Sequence, residues 1–323
     1  MALKTALLQI LEEHRDAPVS GQALADRLHV SRAAVWKAMK ALQAEGHRIT
    51  AVTNRGYQLE RDSDVLTPQG IRCRLRPAYR DCAIRVDARV PSTNTQAKKL
   101  AADGAAAPSL LLAAGQTAGR GRMGRAFFSP PGTGLYMSVL LRPAVQAEEL
   151  PLVTLAAAAA VCEAVEEAAG VSTRVKWVND ILVDGRKVAG ILTEAVGDLE
   201  SGTMESVVVG IGVNVKTPAD AFPEELRERA GSLLPAQVSR CDLAAGIANR
   251  LLTYADSLPE RRYLEPYRER LAVLGKPVQY KQRERWMTGR AVDLREDGCL
   301  LVEGIGGVAA LRGGEIRMEG EWQ

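Results

Sequence analysis

The sequence predicts an α+β chain of more than one domain, on three observations. At 323 residues it is too long for one ordinary core. The first sixty residues read as short helices closing in a hairpin, and the last fifty as short strands and turns. Between them, helices mix with Val/Ile/Gly-rich strands joined by hairpins, without the strict alternation of a doubly wound sheet and without a Walker sequence.

Residues 1–62 read as a winged helix-turn-helix. Leu3, Leu7, Leu8, Ile10 and Leu11 give an opening helix one apolar stripe. Ser20 is placed to cap a second helix carrying Ala23, Leu24 and Leu28, and Ser31 caps a third after a tight turn. In the third, Val35, Ala38, Met39 and Leu42 recur at i, i+3, i+4 and i+7 and should face inward. Arg32, Ala33, Lys37 and Lys40 are left outside, and small or basic residues there suit a DNA major groove. Gly46 ends the helix, and 49–52 with 57–59 form a wing with Arg55 at its tip. Ser31, Arg32, Ala33, Lys37, Lys40 and Arg55 are the expected DNA contacts, with Trp36 packed beneath the wing. Residues 1–60 hold eight Lys/Arg against six Asp/Glu. A net +2 is low for a strong DNA binder, so one basic face and dimerisation would be needed. A winged helix kept for protein contact is the alternative.

A polar connector over 61–68 opens a second domain, expected at 63–272. Helix is expected from Ile71, then a strand over 83–90, where Ile84, Val86 and Ala88 alternate. Pro91-Ser92-Thr93-Asn94-Thr95 heads a helix over 96–103; it is either a plain cap or a cap whose free donors take a polar ligand. A short strand, 110–114, delivers the chain to Gly115-Gln116-Thr117-Ala118-Gly119-Arg120-Gly121-Arg122-Met123-Gly124-Arg125. Glycine lets backbone approach a ligand closely, and arginine offers a rigid donor fork for phosphate or carboxylate. No acidic residue lies between Asp103 and Glu148, so nothing nearby should neutralise Arg120, Arg122 and Arg125. The stretch is an anion clamp, a solvated basic turn or a nonspecific nucleic-acid loop.

Residues 135–141 read as a buried strand, 152–169 as an alanine-rich helix ended by Gly170, and 171–177 as a strand. A hairpin follows, 181–183 and 188–194 about Asp184-Gly185. Gly210 and Gly212 weaken the strand 206–215 unless something flat lies against them. A loop with a short helix, 217–234, and helices over 243–258 and 261–271 complete the domain. A small module of short strands occupies 273–323.

Bulk properties narrow the class. Formal charge is +3, so nucleic-acid binding must be local. The longest apolar run, 155–162, is far short of the ~20 residues of a membrane span, so no membrane partner is expected. Five scattered cysteines without a C-x-x-C pair, and an opening without signal-peptide order, give the expectation of a cytoplasmic protein with reduced thiols. All three histidines lie in the first sixty residues, so the main domain has no histidine base.

The arginine loop resembles that of the biotin protein ligases, which read Gly-Arg-Gly-Arg-x-Gly-Arg. The likeness extends to Ser92-Thr93-Asn94-Thr95, Lys176-Trp177-Val178-Asn179-Asp180, Gly185-Arg186-Lys187-Val188-Ala189-Gly190-Ile191-Leu192, Gly210-Ile211-Gly212-Val213-Asn214-Val215 and Gly313-Gly314-Glu315-Ile316. These stand in the family's order over most of the chain. The resemblance implies a central ligase domain like the class II synthetases and a C-terminal SH3-like barrel. It implies ATP, Mg²⁺ and biotin, with biotinyl-5'-AMP as intermediate and co-repressor. The partners would be a biotin carboxyl carrier protein, operator DNA and a second copy of the chain when adenylate is bound.

Carried over residue by residue, Ser92, Thr93, Asn94 and Gln116 would take the biotin head, and Gly119 would allow close approach. Arg120, Arg122 and Arg125 would close the site, with Arg122 nearest the intermediate. Lys187 would bridge the biotin carboxylate and the α-phosphate. Phe127, Lys176, Asn179, Gly190, Gly210, Gly212 and Asn214 complete the binding set, a bound biotin ring being the flat object against the glycines, and Phe222 would stack on adenine. Asp180 would either hold Mg²⁺ or orient and deprotonate the acceptor lysine; with Lys187 and Arg122 it makes the catalytic set. Several relatives have Pro at Val178 and Trp at Phe127, departures that bear on affinity more than activity. A lipoate-type ligase is the rival enzyme. A ligand-sensing repressor without turnover is the rival of another class, and it would not require Lys187 and Asp180.

Overall fold

The computed structural model describes residues 2–143, 146–198, 203–282 and 285–318. The chain divides into two compact units, Met1–Asp81 with Ser239–Gly246, and Cys82–Val238 with Ile247–Gln323. No helix among the described residues is long and apolar enough to cross a membrane, and all five cysteines are free thiols.

In the first unit, α1 (Leu3–Glu13), α2 (Gly21–Leu28) and α3 (Arg32–Ala44) precede the hairpin of β1 (Ile49–Val52) and β2 (Gly56–Leu59), and α4 (Pro68–Arg74) follows. Leu7, Leu11, Leu24, Val35, Met39, Leu42 and Leu59 form the core. The Ser20 and Ser31 hydroxyls accept from the Gln22 and Ala34 amides, capping α2 and α3 as their sequence predicts. Between the two helices His29 takes φ 52°, the left-handed turn that ends α2. Val19 pairs with Tyr57 and widens the wing. Trp36 is a correction: it does not lie beneath the wing but is 56% exposed. Val35, Met39 and Leu42 already fill the inward stripe of α3, and a residue about 100° further round the helix from Val35 turns to solvent. Glu12 is buried on α1 and accepts from Arg15 at 2.8 Å and Arg74 at 2.9 Å, tying α4 to the winged helix.

The second unit carries a seven-stranded sheet. Its strands are β3 (Ala83–Asp87), β4 (Ser109–Ala113), β5 (Gly134–Leu141), β6 (Arg174–Lys176), β7 (Asp180–Val183), β8 (Arg186–Asp198) and β9 (Thr203–Asn214), in spatial order β3-β4-β5-β9-β8-β7-β6. Only β3 and β4 run parallel, joined through α5 (Thr93–Ala102), since parallel neighbours need a crossover. All eight residues of β5 are buried. α6 (Leu150–Ala169) packs on β8 and ends at Gly170 in the left-handed conformation, φ 66°. The β7–β8 hairpin turns on Asp184 and Gly185, φ 50° and 76°, as the Asp-Gly pair predicts. α7 (Arg240–Asp256), whose residues up to Gly246 belong to the first unit, and α8 (Leu264–Arg270) follow. The C-terminal strands β10 (Pro277–Gln282), β11 (Arg285–Leu294), β12 (Leu300–Gly304), β13 (Gly307–Leu311) and β14 (Ile316–Met318) form an antiparallel sheet in the order β13-β12-β11-β10-β14.

Candidate functional site

The start of α5 fixes one wall of the site. Ser92 caps the helix, so Thr93 and Asn94 become first-turn residues, and their side chains are buried. Asn94 Nδ2 donates to Leu192 O at 3.2 Å and to Glu194 Oε2 at 2.9 Å, and its Oδ1 accepts from the Ser138 hydroxyl at 2.6 Å. Gln116 Oε1 accepts from the Thr93 amide at 2.8 Å, and Gln116 Nε2 donates to Ser129 Oγ at 2.9 Å. This wall is a network of hydrogen-bonded amides and hydroxyls anchored on the Glu194 carboxylate.

Strand β9 crosses the floor. A Cβ on Gly210 would fall on the Asn94 amide, and one on Gly212 would lie 2.5 Å from the Phe127 ring. What lies against these two glycines is therefore the protein's own Asn94 and Phe127. Phe127 meets Tyr136 edge-on, ring centres 6.5 Å apart, and has the Lys187 ammonium 6.0 Å from its ring centre. Gly119 is equally constrained, because a Cβ there would press on Ser129 Oγ at 2.6 Å and on the Phe127 carbonyl.

Cations close the rim. Lys187 Nζ lies 2.7 Å from Asp180 Oδ1. Its backbone is pinned by the segment after β9: Lys187 N donates to Arg229 O at 2.7 Å, and Gly231 N donates to Lys187 O at 2.9 Å. Asn214 holds that segment in turn, donating to Gly231 O at 2.9 Å. Arg122 Nη1 donates to Asn179 Oδ1 at 2.8 Å, and burial pushes its guanidinium below the ordinary arginine value against the opposing charge of Asp180.

The arginines are not left without acidic partners, which corrects the expectation from local sequence. Arg120 reaches Glu194 at 3.6 Å, and Arg125 binds Glu315 at 2.6 Å. Both acids come from distant parts of the chain, which a window around the loop cannot reveal. Burial raises the Glu194 carboxyl, but the hydrogen bonds from Asn94 and Lys98 outweigh it and leave it below the usual carboxylate range.

The structure gathers Ser92, Thr93, Asn94, Gln116, Arg120, Arg122, Phe127, Asn179, Lys187, Gly190, Gly210 and Gly212 around one cavity of about 450 Å³, counting the part open to solvent. Gly119 and Asp180 are outside this lining but adjoin it, Gly119 at Gln116 and Asp180 at Lys187. Arg125 turns away to Glu315, and the half-buried Lys176 at the end of β6 adds its charge beside the same Glu315. Asn214 is outside this lining and bonds to the segment that pins the Lys187 backbone. Phe222 is buried against Phe128, ring centres 5.8 Å apart, and does not line the cavity. Ser129, Ser138 and Glu194 are site residues that sequence reasoning missed. Glu194 had a signal, since it sets a carboxylate within the otherwise uncharged middle of β8. Among the described residues, no three His, Cys, Asp or Glu side chains gather to hold a metal ion.

The chain is similar to known proteins along nearly all its length. The model of the biotin/lipoate A/B protein ligase family matches residues 86–214, and that of an HTH domain matches residues 4–58. A bifunctional ligase/repressor BirA of Bacillus subtilis (strain 168) is 34% identical over 98% of this chain and 98% of its own. The protein of that name from Escherichia coli (strain K12) is 30% identical over 93% of this chain and 92% of its own. A biotin protein ligase from Aquifex aeolicus, solved in complex with biotin and ATP, superposes with a TM-score of 0.63 at 28% identity, covering 73% of this chain and 99% of that one.

Proposed function

The chain belongs to the family of bifunctional biotin–protein ligase/repressors, and we propose from its geometry how its residues divide that work. It activates biotin with ATP, transfers it to a lysine of a biotin carboxyl carrier protein, and represses through its helix-turn-helix. The observation that carries the residue assignment is the Lys187–Asp180 pair beside a cavity whose Asn94 and Gln116 wall is hydrogen-bonded.

In the first step an oxygen of the biotin carboxylate attacks the α-phosphorus of ATP, and pyrophosphate leaves with the electron pair of the broken P–O bond. Two anions must be brought together, so fixed cations aimed at the developing charge supply most of the acceleration. Lys187 and Arg122 are those cations, and the Asn94–Ser138–Gln116 wall orients the ureido head. As Lys187 turns from Asp180 to the reacting oxygens, the carboxylate is freed. In the second step the acceptor amine attacks the anhydride carbonyl, AMP departs, and Asp180 takes the amine proton. Mg²⁺ would enter with the triphosphate, because among the described residues no three His, Cys, Asp or Glu side chains gather into a protein-held site. Operator binding would fall to residues 1–62, the ligase chemistry to 63–272, and support of the arginine loop to 273–323.

Incubation with ATP and Mg²⁺ and either biotin or lipoate, with pyrophosphate release as the readout, tests this reading. Biotin-dependent release supports it. Equal or greater release with lipoate overturns the substrate assignment.

A further inference from the structure

Helix α3 has two faces. Val35, Met39 and Leu42, each 1% exposed, point into the core. Arg32, Ala33, Lys37 and Lys40 are all exposed on the other. Trp36 stands in the middle of that second face: positions 32, 33, 36, 37 and 40 follow the i, i+1, i+4, i+5, i+8 spacing of a single helical stripe. It is 56% exposed, and no other aromatic side chain among the described residues is exposed. The Lys40 ammonium lies 5.9 Å from its ring centre, which steadies the indole in its outward position. α3 carries no acidic residue at all.

An outward indole flanked by three cations fits one kind of partner better than another. Protein surfaces that receive a tryptophan offer an apolar pocket, and a surround of Arg32, Lys37 and Lys40 with no acid would have to be matched by an acidic rim. The DNA major groove supplies both features at fixed spacing. Its phosphates flank the groove within reach of the basic side chains, and its floor has one apolar group, the 5-methyl of thymine. A large flat side chain at the centre of the helix face reaches that floor, whereas the long basic chains at its margins reach the walls.

We propose that Trp36 is a base-contacting residue of the recognition helix, and that it reads the 5-methyl group of thymine in the operator. The inference rests on the repressor reading above. It gives a sequence-reading task to a residue outside the expected DNA contacts, and it predicts that operator half-sites hold a thymine opposite the middle of α3.

The test uses the full chain with biotin and ATP present. A duplex is first selected from a random-sequence pool by binding to the wild-type chain, and its thymines are then replaced one at a time by deoxyuridine, which lacks only the methyl. The wild-type chain should lose about fourfold in affinity at one thymine of each half-site, the scale of one buried methyl. Trp36→Ala should bind the parent duplex more weakly and show no difference between thymine and deoxyuridine there, while Trp36→Phe should keep part of the discrimination. Far-ultraviolet circular dichroism checks that the variants fold. A pool yielding no bound sequence overturns the repressor reading, and this inference with it. A selected duplex that Trp36→Ala binds as tightly as wild type, or with the deoxyuridine penalty intact, overturns the Trp36 assignment alone.

Discussion

Lys187 shares its ammonium with Asp180 at 2.7 Å and with the face of Phe127, so it is neither a solvent lysine nor a free one. The resemblance in sequence named this residue; only the fold shows that its backbone is clamped by Arg229 and Gly231. Lys187→Ala should lower pyrophosphate release by about 10²–10³-fold with an unchanged melting temperature, because the cation between two anionic reactants is lost. Release near the wild-type rate would remove Lys187 from the chemistry. Arg122 bears differently on the reaction, since its bond to Asn179 closes the loop over the cavity. Arg122→Gln should shorten the residence of the bound adenylate by roughly tenfold, the worth of one charge-assisted hydrogen bond; an unaltered off-rate in stopped flow would exclude it from the clamp. Glu194 sets the acid limit of the site. Its folded carboxyl lies below the ordinary value, so what it contributes is present above that value and disappears as pH falls through the depressed one. Biotin affinity by calorimetry should therefore hold level from pH 8 to about pH 5 and fall only below the ordinary carboxylate range; a decline already near pH 6.5 would point to another group.

Strand β9 shows at the scale of an element what a sequence can and cannot disclose. Gly210 and Gly212 announced a close approach, because glycine in a buried strand interior needs a reason. The identity of the approaching groups was hidden, since Asn94 and Phe127 arrive from other parts of the chain. The arginine loop repeats the lesson: its cations were plain, but Arg125 finds Glu315 at a separation of 190 residues. Caps and turns such as Ser20, Ser31 and Asp184-Gly185 were legible because their partners lie within a few residues. The order β3-β4-β5-β9-β8-β7-β6 was not, as it depends on which apolar strands meet and not on what each contains. Trp36 misled because the inward stripe of α3 is already filled by Val35, Met39 and Leu42 and leaves it no place inside. Gly210→Ala tests the strand directly. Its new Cβ would drive the Asn94 amide from Ser138, Leu192 and Glu194 together. Loss of that wall should weaken biotin binding by roughly 10²-fold with a smaller effect on ATP, and calorimetry showing equal losses for both ligands would contradict the assignment of Asn94 to the biotin head.

For the whole molecule, the question is why one chain carries both a winged helix and a ligase. The basic face of α3 is real, but residues 1–60 hold only eight Lys/Arg against six Asp/Glu. A single module with so small a positive balance would bind DNA weakly and with a shallow salt slope. Two modules held together gain from effective concentration, so a dimer would hold a two-half-site operator more tightly than either module alone. A ligand can drive that association only if it binds the dimer better than the monomer. The arginine loop and the segment 229–231 that clamps Lys187 are the parts that the adenylate would order, and ordering them before association removes an entropy cost from the dimer. Biotinyl-AMP would accumulate when acceptor protein is scarce, so repression would follow the supply of unmodified carrier. The expected result is that a non-hydrolysable adenylate analogue shifts the chain from monomer to dimer in sedimentation. The same analogue should tighten binding to a two-half-site operator by at least tenfold, about 1.4 kcal/mol, and added carrier protein should reverse the effect of authentic adenylate by consuming it. If the analogue changes neither association nor DNA affinity, the adenylate is not the co-repressor and the winged helix answers to another signal.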